Sequence, residues 1–85
     1  MKKKFREDLR PSLDLHGFTT DEVIDYLDSF IMKHQNKPEL CIIVGKGKGL
    51  IKKKVIEYLE MGGYPWSYEK IYGQINEGAL IVDLS

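Results

Sequence analysis

An acid and a histidine near the start of this sequence have the types and spacing that acid–base chemistry uses. Asp14 and His16 are separated by one residue, so in an extended strand their side chains lie on the same face. An imidazole next to a carboxylate can act as a general base, because the carboxylate orients the ring and sets its charge. Since an Asp and a His at this spacing also occur as an ordinary surface pair, the pair indicates catalysis only beside a second functional group.

A glycine-rich segment that contains two lysines is that second group. It consists of Gly45, Lys46, Gly47, Lys48 and Gly49. The segment joins an apolar strand to a predicted helix, where unpaired amides and the positive end of the helix dipole favour a phosphate group. The helix adds three further cations, Lys52, Lys53 and Lys54. This density of positive charge suits a polyanion, and the alternative interpretation is a glycine turn beside a solvated lysine face.

The spacing of the glycines excludes two common nucleotide-binding loops. A Walker A loop requires four residues between its first glycine and a Gly-Lys-Ser/Thr, and Gly45 begins no such run. The dinucleotide fingerprint G-x-G-x-x-G requires a glycine at the position of Leu50. The segment therefore matches neither of these mononucleotide or dinucleotide sites.

The residues around both groups follow strand and helix patterns in turn. Apolar and alternating runs predict strands at 12–16, 40–44, 66–72 and 79–84, and amphipathic runs predict helices at 20–34 and 50–61. Thr19 and Glu22 are expected to form a capping box at the first helix, and Gly62-Gly63 to end the second. The predicted loop between the last two strands contains Asn76, Glu77 and Gly78.

This order of elements predicts the α/β class, as a two-layer βαβαββ sandwich. A four-stranded mixed sheet with two helices is expected, because each helix connects two strands of one sheet. Leu13 and Leu15 should face the core, and Asp14 and His16 the opposite side. Since strands joined by such crossovers end at one edge, the Asp–His pair and the glycine-rich segment are expected to converge there.

Length and composition indicate one small domain. With 85 residues, 42% hydrophobic and 31% charged, the chain matches a globule with a single core. Residues 1–11 are predicted to be a flexible basic N-terminal arm, and residues 12–85 the folded domain. No apolar run reaches the length of a membrane span, so no membrane partner is expected. Cys41 is the single cysteine, which excludes a disulfide within the chain and favours a cytoplasmic location.

Positive charge is concentrated in residues 1–10 and 46–54. These two segments hold ten of the thirteen Lys and Arg residues but only two of the thirteen acids. Such separation predicts a basic face opposed to an acidic one, although the formal net charge is zero. Nucleic acid is therefore a plausible partner.

Three segments resemble the motifs of the Smr (small MutS-related) domain family. The first, from Leu13 to Gly17 and followed by Phe18, is similar to its LDLHG motif. The second begins with Gly45-Lys46-Gly47, similar to its GxG motif, and continues through Gly49, Ile51 and Lys52. The third, from Gly78 to Leu84, resembles its final strand. Together the resemblance covers residues 12–84.

The resemblance implies a fold similar to the C-terminal domain of bacterial translation initiation factor three, and an endonuclease that cleaves RNA or branched or nicked DNA. It assigns catalysis to Asp14 and His16 and nucleic-acid binding to the glycine-rich segment. Relatives that act on messenger RNA at stalled ribosomes make the ribosome a further expected partner, and the chain is expected to be a monomer. The sequence departs from the family at Val44, where His or Thr is common. The alternative function is therefore a non-catalytic nucleic-acid or ribosome binding module.

The residues permit two routes of phosphodiester cleavage. On RNA, His16 takes the proton of the 2′-hydroxyl and Asp14 orients its ring, while Lys46, Lys48 and the loop amides stabilise the charge on phosphate. On DNA, which lacks that hydroxyl, Asp14 helps to hold a Mg²⁺ ion that activates water. One carboxylate alone is a poor metal site, so the first route is favoured.

Three aromatic residues near the third predicted strand have two interpretations. They are Trp66, Tyr68 and Tyr72. Aromatic rings stack on unpaired bases, but alternate aromatics in a short strand more often belong to the core. A place in the core is the expectation here.

Overall fold

The alternation of strand and helix patterns produces a four-stranded sheet with two helices. The computed structural model describes residues 10–45 and 49–85. Its elements in chain order are β1 (Ser12–Asp14), α1 (Thr20–Lys33), β2 (Glu39–Ile43), α2 (Leu50–Met61), β3 (Trp66–Ile71) and β4 (Gln74–Asp83). The predicted α/β class and βαβαββ order are confirmed.

The sheet is mixed, with the strand order β1-β2-β4-β3. β1 pairs with β2 in parallel, and β4 lies antiparallel between β2 and β3. β1, β2 and β3 therefore run in one direction, and their C-terminal ends lie at one edge of the sheet. We call this edge the loop edge. Both helices also begin there, because each follows the C-terminal end of a strand.

Local signals account for the ends of both helices. Thr19 and Glu22 form the capping box at α1, in which the Thr19 amide donates to Glu22 Oε1 at 3.0 Å. At the end of α2, the amides of Gly63 and Tyr64 donate to carbonyls of the last helical turn. Gly63 has a φ of 75°, so this is the left-handed glycine cap that the sequence predicts.

Both helices pack on one face of the sheet. The sheet contributes Leu15, Leu40, Ile42, Leu80 and Val82 to the buried core, and the helices contribute Val23, Leu27, Ile31, Val55 and Leu59. Leu13 packs against this core and Leu15 is fully buried in it, so both face the helices as predicted. None of the helices in the described ranges is long and apolar enough to span a membrane.

The opposite face of the sheet carries no helix formed by residues 10–45 or 49–85, and we call it the open face. The segment before β1 contacts it: Pro11 O accepts from the Cys41 amide, and the Arg10 guanidinium lies 3.6 Å from Glu69 Oε2 on β3. These two residues belong to the predicted flexible arm, yet they contact the sheet. The remainder of that arm, residues 1–9, lies outside the described residues.

The connection between β3 and β4 differs from the prediction. The chain turns at Tyr72 and Gly73, both with positive φ, and β4 begins at Gln74. The predicted loop at 76–78 instead lies within β4, where the register with β3 shifts between Tyr68 and Glu69. Asn76 and Gly78 therefore lie at an irregularity inside the ten-residue strand β4. They do not form a loop before a shorter strand, as the sequence predicted.

Candidate active site

Asp14 and His16 form a hydrogen-bonded pair at the loop edge. Asp14 Oδ1 lies 2.7 Å from His16 Nδ1 and accepts from the His16 amide at 3.1 Å. The side chain of His16 is 72% exposed and that of Asp14 is 50% exposed. The two side chains that the sequence predicts on one strand face are in direct contact, although β1 ends at Asp14 and His16 lies in the turn that follows. They lie on a surface that a large substrate can reach.

The backbone around the pair explains why it is held at this edge. β1 ends at Asp14, but the Leu15 amide still donates to Ile43 O at 2.8 Å, and the Leu15 side chain is fully buried. The Phe18 amide then donates to Leu15 O, closing a turn in which Gly17 has a φ of 86°. His16 is therefore fixed between an anchored residue and a tight turn, with its ring directed to solvent.

The hydrogen bond determines the protonation pattern of the pair. The hydrogen bond with the His16 side chain lowers the pKa of the Asp14 carboxyl below its ordinary value of 3.8. Asp14 is therefore an anion at neutral pH. A carboxylate only accepts hydrogen bonds, so His16 Nδ1 carries the shared proton. In the neutral ring Nε2 then has a free lone pair. The arrangement can remove a proton from a bound hydroxyl or water.

The first glycine of the glycine-rich segment lies against the histidine. A Cβ built on Gly45 would stand 3.5 Å from the Cβ of His16, and Gly45 has a φ of 79°, which disfavours any other residue. The predicted convergence is thus observed for Gly45 and His16. The candidate binding residues Lys46, Gly47 and Lys48 lie outside the described residues.

The segment ends at an uncapped helix N-terminus. Gly49, the N-cap of α2, has a φ of 84° and makes no side-chain cap, and the first turn of α2 has no acidic residue. By contrast, the first turn of α1 contains Asp21 and Glu22. Within the described part of the chain no side chain caps the α2 terminus, and its positive dipole end favours an anion.

The three lysines of α2 do not have equal access to a ligand. Lys53 and Lys54 are exposed. Lys52 Nζ donates to Glu77 Oε1 at 3.3 Å and lies 5.2 Å from the centre of the Tyr68 ring. The bond to Glu77 raises the pKa of Lys52 above its ordinary value of 10.5. Lys52 is therefore charged but already paired.

Glu77 and Gly78 are site residues that sequence reasoning missed. Gly78 O accepts from the Val44 amide at 2.8 Å and the Gly45 amide at 3.1 Å, which fixes the start of the glycine-rich segment. Glu77 places a carboxylate next to the basic residues. The sequence shows these two residues only as a turn signal, because their role depends on the position of β4 beside β2.

A cavity of about 640 Å³ lies on the open face between Gly45 and Arg10. Cys41 is one of its lining residues, and burial raises the pKa of its thiol, so the thiol stays protonated and unreactive at neutral pH. Val44, the position at which the sequence departs from the family, is 6% exposed and packs in the core. No polar side chain enters the site from that position.

The described residues do not form a magnesium site. Among them, no three His, Cys, Asp or Glu side chains are grouped so as to hold a metal ion. Asp14 is the carboxylate of the pair, and its Oδ1 already accepts two hydrogen bonds from His16. Magnesium is usually held by one or two carboxylates, with water and substrate phosphates completing its six oxygen ligands, so Asp14 alone is a weak site for the ion.

Similar sequences are found among known protein families and curated proteins. The family model described as "Smr domain" matches residues 13–85. The chain is 32% identical over 81 residues to the protein named endonuclease MutS2 of Caldanaerobacter subterraneus subsp. tengcongensis, covering 89% of this chain and 10% of that relative. The chain thus spans about a tenth of this curated relative.

Solved structures show the same fold. The Smr domain of Thermus thermophilus MutS2 has a TM-score of 0.79 at 22% identity, covering 88% of this chain and 98% of that chain. The human small-MutS related domain has a TM-score of 0.70 at 32% identity, covering 86% of this chain and 99% of that chain. The B3BP Smr domain has a TM-score of 0.72 at 31% identity, covering 87% of this chain and 77% of that chain.

Proposed function

The chain belongs to the Smr domain family, and on this premise we propose that it is an endonuclease that binds nucleic acid at the loop edge. The observation that carries the proposal is the 2.7 Å contact between His16 Nδ1 and Asp14 Oδ1, on an exposed edge beside Gly45. The similarity to a protein named endonuclease MutS2 supports it. His16 is the catalytic base and Asp14 holds its ring.

The proposed reaction is transesterification of RNA. His16 Nε2 takes the proton of a 2′-hydroxyl, and the 2′-oxygen attacks the adjacent phosphorus. The bond between phosphorus and the 5′-oxygen breaks, leaving a cyclic phosphate, and that oxygen takes a proton from water. His16 gives its proton to the hydroxide that remains, which restores the neutral ring. Asp14 fixes the tautomer that leaves Nε2 free and stabilises the charged ring that forms. This route uses the residues of the pair and requires no metal ion.

Binding is proposed to occur through the phosphate backbone. The uncapped α2 terminus and the exposed Lys53 and Lys54 supply positive charge at the same edge as the pair. Contacts of this kind hold the backbone with little preference for sequence and weaken as salt is added. Lys46 and Lys48 belong to the same proposed surface by their place in the chain.

The test compares variants of the pair with a matched control. Asp83 is the control, because it makes the same kind of contact with the residue two positions later. Asp83 Oδ1 accepts from the Ser85 amide and from Ser85 Oγ, as Asp14 Oδ1 accepts from the His16 amide and from the His16 ring. Asp83 lies at the edge opposite the loop edge. We expect His16→Ala to lower RNA cleavage by roughly 10²–10⁴-fold with binding nearly unchanged, and Asp14→Asn to lower it by less. Asp83→Asn should cleave at the wild-type rate.

The substrate arms distinguish the two chemical routes. Structured RNA and branched DNA are incubated with and without Mg²⁺, and the product ends are identified. Metal-independent cleavage of RNA to a cyclic phosphate supports the proposed route, whereas cleavage of DNA that depends strictly on Mg²⁺ contradicts it. If the wild type binds both substrates and cuts neither, the non-catalytic binding module replaces the endonuclease. The cytoplasmic location and a ribosomal partner stay predictions from the sequence.

A further inference from the structure

The β3–β4 hairpin ends in an exposed aromatic ring. Tyr72 is 100% exposed, and its neighbours Ile71 and Ile75 are 48% and 59% exposed. Together with Gln74 and Asn76 these residues line a shallow depression of about 550 Å³. Trp66 and Tyr68, by contrast, pack against the core from the helix side of the sheet. Of the three aromatics that sequence reasoning assigned to the core, Tyr72 is the one that lies outside it.

The backbone of Tyr72 is unfavourable for its residue type. Tyr72 has a φ of 51° and Gly73 a φ of 83°, and Ile71 pairs with Gln74 across this two-residue turn. Such turns favour Asn or Gly at the first position, because bulky residues rarely adopt positive φ. A tyrosine here is strained and also gains no burial. This combination points to a role outside the fold.

The hairpin tip lies at the same edge of the sheet as Asp14 and His16. Leu13, Ile42, Leu80 and Tyr68 form one row of paired residues across the sheet. His16, Gly45 and Ile71 each follow that row by three residues in strands that run in the same direction. The tip therefore lies at the loop edge, three strand spacings from His16. That separation is roughly 14 Å, the length of about four stacked base steps.

We propose that the hairpin tip binds an unpaired nucleobase, which stacks on the Tyr72 ring while its backbone lies along the loop edge. The exposed ring supplies the stacking surface, and the Gln74 amide beside it can donate to and accept from a base edge. A base inside a duplex has no free face, so the tip selects single-stranded or branched substrate. The inference rests on the proposed binding of nucleic acid and adds the determinant of its specificity.

The test uses a substitution that separates binding from folding. Tyr72→Asn removes the ring and places a residue that tolerates positive φ, so the melting temperature should rise. Every variant in this test also carries His16→Ala, which prevents cleavage during titration. Met61→Ala is the control, since Met61 is 89% exposed and ends α2 at the opposite edge. Affinities are measured by anisotropy for a labelled single strand and for the same sequence as a blunt duplex, in RNA and DNA.

We expect Tyr72→Asn to weaken binding of the single strand by about 5- to 100-fold, and binding of the duplex by less than about twofold. Tyr72→Trp should restore binding of the single strand, which a loss of structure would not allow. If the Tyr72→Asn variant and its His16→Ala parent bind the single strand with equal affinity, the inference is overturned and the proposed binding is left intact. Failure of the wild type to bind either form would overturn both.

Discussion

Single side chains determine how much of the basic surface is available to a ligand. Lys52 is held by Glu77 and lies over the ring of Tyr68, whereas Lys53 and Lys54 are exposed. A carboxylate in this position competes with phosphate for the ammonium group of Lys52. If the surface binds nucleic acid as proposed, Glu77 limits its affinity by holding Lys52.

Replacing Glu77 should expose this competition. We expect Glu77→Gln to strengthen binding at low salt, because Lys52 becomes free to contact a phosphate group. The plot of log affinity against log salt should become steeper, by up to about 0.9 for duplex DNA and about 0.7 for a single strand. Glu60→Gln makes the same change of charge at the far end of α2 and serves as the control. An identical salt slope for Glu77→Gln and wild type would show that Lys52 does not reach the nucleic acid.

Sequence reasoning predicted that Asp14 and His16 lie together but not what surrounds them. The two residues are separated by one residue at the end of β1, so local geometry alone brings them together. Glu77 and Gly78 are distant in sequence from Lys52 and Gly45, and they meet these residues only because β4 inserts between β2 and β3. Contacts of this kind depend on strand order and register, which a periodic pattern does not encode.

At the scale of elements, one hydrogen bond joins the two helices across their shared face. Tyr58 on α2 donates to Asp28 Oδ1 on α1. Burial, followed by this bond, raises the pKa of Tyr58 from 10.0 to about 12. The pattern of apolar residues predicted that Tyr58 faces inward, but its hydroxyl partner lies thirty residues away and was not predicted.

Removing this hydroxyl should lower stability by about 1 kcal/mol. In Tyr58→Phe the ring still packs on the core but the bond to Asp28 is lost, and urea unfolding measures the difference from wild type. The control is Tyr26→Phe, since Tyr26 is half-exposed and contacts Phe18 through its ring. A midpoint for Tyr58→Phe equal to that of wild type would mean that water replaces the bond without loss.

The same bond predicts a dependence on alkaline pH. The pKa of Tyr58 is higher in the folded state, so between pH 10.0 and about 12 the unfolded chain loses a proton that the folded chain retains. The contribution of the bond is complete below that range and falls as pH rises through it. The stability advantage of wild type over Tyr58→Phe should therefore shrink from about pH 10 to about pH 12. A constant advantage would contradict the assignment.

The hairpin shows where pattern recognition fails at this scale. Asn76 to Gly78 has turn-forming composition, and Tyr72-Gly73 lacks the Asn-Gly pair that usually marks a two-residue turn. The turn signal in the sequence therefore begins at Asn76, four residues after the turn at Tyr72. Composition reports which residues tolerate an irregular backbone, and both a turn and a strand irregularity satisfy that condition.

For the molecule as a whole, β4 is the element on which the rest of the sheet depends. It is the longest strand, lies between β2 and β3, and contributes Leu80 and Val82 to the core. β3 pairs with β4 and with no other described strand. A small domain has a stability of only about 5–15 kcal/mol, so damage to β4 should unfold it entirely.

Shortening Leu80 tests this dependence. Leu80 has no exposed surface, and we expect Leu80→Ala to cost about 2–5 kcal/mol through the cavity that it leaves. Ile81→Ala is the matched control, because Ile81 is the next residue of the same strand but lies on the open face and is only half-buried. Thermal unfolding should show a much larger loss for Leu80→Ala. Equal losses would mean that β4 is not anchored from the helix side.

The place of β4 in the chain also sets the time at which the sheet can form during synthesis. Asp14 and His16 leave the ribosome before β2, and the strand that must lie between β2 and β3 follows both of them. Until then β3 has no neighbour, and the amides of Val44 and Gly45 lack the Gly78 carbonyl that holds them. Contacts between distant parts of a chain form late. The nascent chain therefore carries Asp14 and His16 before the sheet edge beside them has formed.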